Sequence, residues 1–267
     1  MGSDQCEYLH QCHHGQRRHA PGLRTGSINN SSSITVNDSG SAFAYTSSVG
    51  LDRDVTVATG GAFVHSGSTN YSGSFTWTNG ILGGTNWNGS LDGRTVNANR
   101  MISPGNSPGT ALTGDQVWGA DGGYIWEMNS ATGTAGSDPG WDVVSGTGEL
   151  TISSSVANPF IIYVTSLTLG NASGNAANFN AGTNYEWLIA DFVDPVVGFD
   201  ADLFAIDITG FSNATLSGSE FAVVLGDMVV GGDNSEIYLT YAIPEPQTTA
   251  LLVGVVGLVF LVLRRRK

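Results

Sequence analysis

Residues 34–80 read ITVNDSGSAFAYTSSVGLDRDVTVATGGAFVHSGSTNYSGSFTWTNG. Short apolar segments at 34–36, 43–45, 55–57, 62–64 and 75–77 alternate with Asn37-Asp38-Ser39-Gly40, Gly60-Gly61 and Asn79-Gly80, residues that favour turns and positive backbone angles. No stretch before Ala250 sustains a 3.6-residue apolar period, so the body is expected to be all-β. Strands this short and this closely spaced fit the rungs of a parallel β-helix or a meandering sandwich, and the former tolerates Gly and Asn at its corners. Exact internal repeats are not visible. The expectation carried forward is a parallel β-helix or solenoid-like body over 28–243, with a small β-sheet cap at its end as an option.

Working outward, longer strands are expected at 124–128, 149–153, 160–169, 185–191, 203–208, 221–230 and 236–242. The run Phe160-Ile161-Ile162-Tyr163-Val164 is apolar throughout, which predicts burial on both faces. Composition agrees with a β-rich chain. The 267 residues include 37 Gly, about twice the usual ~7%, and only 12% are charged, which excludes a coiled coil or an ordinary helical enzyme. With 40% apolar and 9% aromatic residues there is enough material for a core, in one elongated or two modest units.

Charge is unevenly placed. Residues 1–27 hold three Arg against Asp4 and Glu7, and residues 244–267 hold four cations against Glu245. That leaves three Arg and 20 carboxylates between 28 and 243, a body charge of −17. Such a body repels nucleic acid, which is set aside as a partner, and meets acidic polysaccharide only where divalent ions bridge the two.

Both cysteines, Cys6 and Cys12, and four of the five His lie in the first 19 residues. A zinc site would need ligand pairs flanking a folded loop, whereas Cys6, His10, Cys12, His13, His14 and His19 fall within 14 residues with almost no apolar side chains to pack around an ion,. Redox compartment cannot be read from a cysteine-free body.

After Ile243 the chain carries three devices in series: Pro244-Glu245-Pro246, an uninterrupted apolar run at 250–263, and Arg264-Arg265-Arg266-Lys267. The prolines end any strand and hold the chain extended around one carboxylate. The 14-residue run reaches about 21 Å as a helix against a hydrocarbon core of ~30 Å, and snorkelling Arg and Lys cover part of the deficit. A buried core helix is the plainer reading of the apolar run alone. Four terminal cations decide against it: the positive-inside rule places Arg264 to Lys267 in the cytoplasm and the body outside, with the membrane crossed through 250–263.

This tail resembles the PEP-CTERM sorting signal, with Pro244, Glu245 and Pro246 at the namesake tripeptide, 250–263 at the helix and Arg264, Arg265, Arg266 and Lys267 at the basic end. The resemblance implies a bacterial exported protein, processed by an exosortase-type enzyme associated with extracellular polysaccharide. An exported chain is expected to open with a cationic region, an apolar stretch and a small-residue cleavage site. Met1 to Arg24 lacks that pattern, so residues 1–27 are expected to be foreign to the fold, through a mis-assigned start or an upstream truncation.

The middle of the chain carries a second resemblance. Ile102 to Thr110 (ISPGNSPGT), Gly122 to Met128 (GGYIWEM), Ala131 to Trp141, Asn158-Pro159-Phe160 and Gly198-Phe199-Asp200-Ala201 together are similar to the C-terminal part of autotransporter-associated β-strand-repeat proteins, over about 96–267. That resemblance implies a β-helical passenger on the cell surface, structural or adhesive, and brings no catalytic residues with it.

Chemistry in the body is sparse. His65 is its one His, so a Ser-His-Asp arrangement would have to use it,; at the end of a short strand, the plainer expectation is a solvated surface side chain. The densest carboxylates are Asp191, Asp194, Asp200, Asp202 and Asp207. Asp191, Asp194, Asp200 and Asp202 are candidate calcium ligands, or an acid and base pair for glycan cleavage, against the plainer reading as solvated loop residues. Trp87, between Asn86 and Asn88 in the loop 83–89, is the candidate for stacking on a sugar ring,. The expected function is a non-enzymatic surface or matrix protein without cofactors; the alternatives are a glycan-active enzyme or a calcium-dependent carbohydrate-binding module.

Overall fold

The computed structural model describes residues 32–105, 107–214, 216–226 and 234–243. The anomalous segment 1–27, the sorting tripeptide, the apolar run and the basic tail lie outside the described residues, as do residues 28–31 and 227–230. Among the described residues no helix is long and apolar enough to cross a membrane.

The described residues are nearly all β, and their main sheets are parallel, built from successive coils. Coil one contributes β1 (Ser33–Val36) and β2 (Ala42–Tyr45), coil two β3 (Asp54–Val57) and β4 (Ala62–His65), and coil three β5 (Phe75–Trp77) and β6 (Gly80–Gly84). Coil four adds a third side: β7 (Arg94–Val96), β8 (Arg100–Pro104) and β9 (Thr110–Thr113). Coil five holds β10 (Gln116–Gly119), β11 (Gly123–Met128), the short excursion β12 (Thr134–Ala135) and β13 (Gly140–Trp141), and β14 (Val143–Gly146). Then come β15 (Leu150–Ser153), β16 (Phe160–Ser166) and β17 (Tyr185–Phe192), followed by β18 (Phe204–Gly210), β19 (Phe221–Gly226) and β20 (Glu236–Tyr241).

Strands stack by position in the coil. β2, β4, β6, β8, β11, β16 and β18 form one continuous parallel wall. A second wall is split into β1-β3-β5 and β7-β10-β15, and a third runs β9-β14-β17 before turning antiparallel into β20 and β19. The arrangement is consistent with a β-helix-like body ending in a small antiparallel sheet.

Register exposes a repeat that inspection of the sequence misses. Ser33 pairs with Asp54, Val55 with Phe75 and Ala62 with Ile81, so the first three coils advance by 19 to 21 residues each, and later coils are longer, with Gly123 paired to Ile161. Thr35-Val36, Thr56-Val57 and Thr76-Trp77 are then one motif, Thr outward and Val or Trp inward. Identity is degenerate because each inward position needs only an apolar side chain of suitable volume. Close stacking does demand glycine at particular corners. Gly84, at φ +102°, has a Cβ position occupied by the His65 carbonyl of the preceding coil, so only glycine fits,.

Inward positions are filled by aromatic and aliphatic columns running across coils. Phe43 stacks on Phe63 at 5.7 Å and Trp118 on Phe160 at 4.8 Å, geometries worth about 0.5–1.5 kcal/mol beyond the area they bury. Most buried apolar side chains from Leu51 to Tyr241 form a single cluster, so the described residues share one main core. Strand 160–166 corrects the expected two-sided burial: Phe160, Ile162, Val164 and Ser166 are buried while Ile161, Tyr163 and Thr165 are half-exposed. A coil wall has core on one side and solvent on the other, whatever the polarity of its outer residues.

Candidate functional site

Two expected surface groups prove to be interior. Trp87 is fully buried, its indole Nε1 donating to the Gly83 carbonyl at 3.0 Å, which removes it as a sugar-stacking platform. The segment read as a loop is tied to the coil that follows: Asn86 forms an isolated bridge with Leu112, and the Trp87 amide donates to the Leu112 carbonyl at 2.7 Å. Asn86 marks a corner instead, its Nδ2 donating to the Gly67 carbonyl at 3.0 Å.

His65 is likewise buried rather than solvated. Its ring stacks on Tyr45 at 5.7 Å, and Nδ1 lies 2.6 Å from the Asn86 carbonyl, so Nδ1 carries the proton. Nε2 has no hydrogen-bond partner. Burial therefore holds its pKa below the usual 6.5, against a smaller opposing effect of the Asn86 carbonyl,. Neither nitrogen is bonded to a serine or a carboxylate, so the geometry of a catalytic triad is not built around it.

The acidic candidates are spread over two walls and the connection between them. Asp191, on β17, sits directly across from Glu236 on β20. Asp194 is exposed in the following loop. Asp200 caps the short 3₁₀ turn Ala201–Leu203 by accepting from the Asp202 amide at 3.0 Å, and the Asp207 carboxylate accepts from the Thr209 amide at 2.8 Å. Among the described residues no three His, Cys, Asp or Glu groups are gathered to hold a metal.

Buried polar chemistry lies elsewhere, around Asp142. This carboxylate is fully buried and accepts the Gly109 amide at 2.9 Å and the Glu127 amide at 3.0 Å, while its backbone carbonyl takes the Trp126 indole at 2.9 Å. Next to it, buried Asn129 donates to Asp138 at 2.6 Å and Asn171 at 2.8 Å and accepts from the Gly140 amide at 2.8 Å. Asn171 closes the ring by donating to the other Asp138 oxygen at 2.6 Å. These bonds tie the β12–β13 excursion and the 168–174 turn to the wall; they are structural, since each described acceptor is spent on a protein donor.

Two arginines escape sequence reading altogether. Arg94 lies over Phe75 at 5.3 Å and Arg100 over Trp77 at 5.7 Å, at the place where the second wall is interrupted between β5 and β7. Counted only as two of three body cations, they carry no signal. Arg94 pairs in register with the buried Gln116 of the following coil and has no strand partner in β5, and that break in the wall marks the site. No family model matches the chain, and no curated protein sequence matches it as a relative.

Proposed function

We propose that this is an exported bacterial surface or extracellular-matrix protein, structural or adhesive and not an enzyme, whose β-helical body is delivered outward and anchored through its C-terminal segment. The observation that carries the reading is the ordered series Pro244-Glu245-Pro246, apolar 250–263 and Arg264 to Lys267. In that order they supply an extended recognition site, a membrane stop and a cytoplasmic charge lock. The exosortase-type enzyme is the processing partner, and extracellular polysaccharide the surrounding material. Support from the body is its form, since a stack of rigid coils offers long walls for contact and uses its few polar interior groups for structure.

The test is processing in a host that supplies a signal peptide and a matching exosortase. Deleting 250–267 is expected to release soluble body, and Glu245→Ala is expected to leave an uncleaved, membrane-held form. Identical processing of wild type and Glu245→Ala overturns the sorting assignment.

A further inference from the structure

We infer that Arg94 and Arg100 form an anion site for the carboxylates of an acidic polysaccharide, a local patch that overrides the charge of the body. The surface-protein reading supplies only the place where such a glycan is met; binding itself is measured on purified protein, so sorting and binding fail separately.

The two side chains sit side by side over the aromatic floor of Phe75 and Trp77. Their proximity shows in Arg100, whose pKa is lowered first by burial and then by the charge of Arg94. Like charges held together on a partly desolvated surface attract an anion more strongly than either does alone. Neither has an ion-pair partner among the described residues, where Arg53 with Asp52 at 3.5 Å is the pairing observed.

The neighbouring carboxylates are committed elsewhere. Asp92 accepts the Gly114 amide at 2.8 Å and the Gly89 amide at 3.1 Å, and Asp54 accepts the Ser74 amide at 3.0 Å. The guanidinium groups keep donors to spare. Arg94 spends Nε and Nη2 on the Ser90 carbonyl, leaving Nη1, and Arg100 spends Nη1 on the Thr95 carbonyl at 3.0 Å, leaving Nη2. Arg100 Nε is buried without a partner. Planar forks fixed on aromatic rings are preorganised for carboxylate, so little side-chain entropy is lost on binding.

A ligand with one carboxylate per sugar suits this site better than a densely charged polyanion. Two cations neutralise a sparse charge locally, while 20 body carboxylates repel a continuous one,. At about 0.15 M salt the Debye length is ~8 Å, which screens the remote carboxylates and leaves contact hydrogen bonds in place.

The experiment is equilibrium binding of oligogalacturonate to the full-length chain in mild detergent, with EDTA present and salt at about 0.15 M. Binding without divalent ions is expected, with neutral dextran as the unbound control. Arg94→Gln and Arg100→Gln are each expected to weaken it about tenfold, the loss of one charge-assisted contact, while Arg53→Gln leaves it unchanged. Arg94→Lys with Arg100→Lys keeps the charge but not the fork and is expected to fall between, which preserves the test if the Gln variants melt early. Acetate at equal carboxylate concentration is expected to compete poorly. No binding in EDTA, an equal loss in Arg53→Gln, unchanged affinity in the double Gln variant, or full displacement by acetate would each overturn the proposal.

Discussion

The first coil and the last are closed by different means. β1 and β2 each pair on one side only among the described residues, and their inward Phe43 and Tyr45 are half-buried while Phe63 and His65 one coil later are fully buried. At the other end β17 reverses into β20 and β19, and Phe211, Phe221 and Tyr241 pack edge to face, with Phe211–Phe221 at 5.5 Å and Phe221–Tyr241 at 5.3 Å. A parallel coil always hands its open edge to the next coil, so it cannot finish itself. An antiparallel return covers the core with the same chain,.

If burial per coil sets stability, the largest effect belongs to the middle. Phe160→Ala, which removes the partner of Trp118, is expected to cost about 3–5 kcal/mol, whereas Phe43→Ala at the half-covered edge costs about 1–2 kcal/mol. Denaturant midpoints at constant m-value check this; equal losses would mean that the first coil is covered as well as the coil that holds β16.

Buried polar groups sharpen the same contrast. Asp142→Ala strands the Gly109 and Glu127 amides inside and is expected to cost about 2–3 kcal/mol. Asp54→Ala frees one Ser74 amide at an exposed edge and is expected to change stability by less than about 1 kcal/mol. Chemical denaturation of the two variants side by side gives the comparison.

His65 gives the first coils a pH response. Its folded pKa lies below the unfolded value of 6.5 because the neutral ring is buried, so the unfolded chain takes up a proton first as pH falls. The stability it allows is complete above 6.5 and declines below that value toward the folded pKa. Relief of carboxylate repulsion acts in the opposite direction, so the measurement is the difference between wild type and His65→Phe in melting temperature from pH 7.5 to 5. A flat difference would show that the ring is not held neutral.

The smallest effect is at the cap. Asp191 and Glu236 are cross-strand neighbours of like charge, and Glu236→Gln is expected to raise stability by about 0.5 kcal/mol. The gain should shrink as salt rises. A loss instead would mean that the Glu236 carboxylate matters more as acceptor for Tyr238, 2.7 Å away.

Strand identity was legible because its signals are local: period-two alternation at 42–45 and 54–57, and turn residues such as Gly60-Gly61, act within a few residues,. The charge of the body and the order of devices after Ile243 are equally properties of the sequence alone. The side on which a residue ends up was not legible. Trp87 and His65 look exposed beside their neighbours in sequence, and Phe160 to Val164 looks buried throughout. Each is settled by a partner about one coil away, where Asn86 meets Leu112, His65 meets Asn86 and Tyr45, and β16 lies between β11 and β18. The placing of Arg94 and Arg100 over Phe75 and Trp77 is of the same kind. Local sequence sets backbone conformation through sterics and turn chemistry, but inside and outside depend on register between coils, which exists only once residues far apart in sequence, such as Ala42 and Ala62 or Phe160 and Phe204, are stacked,.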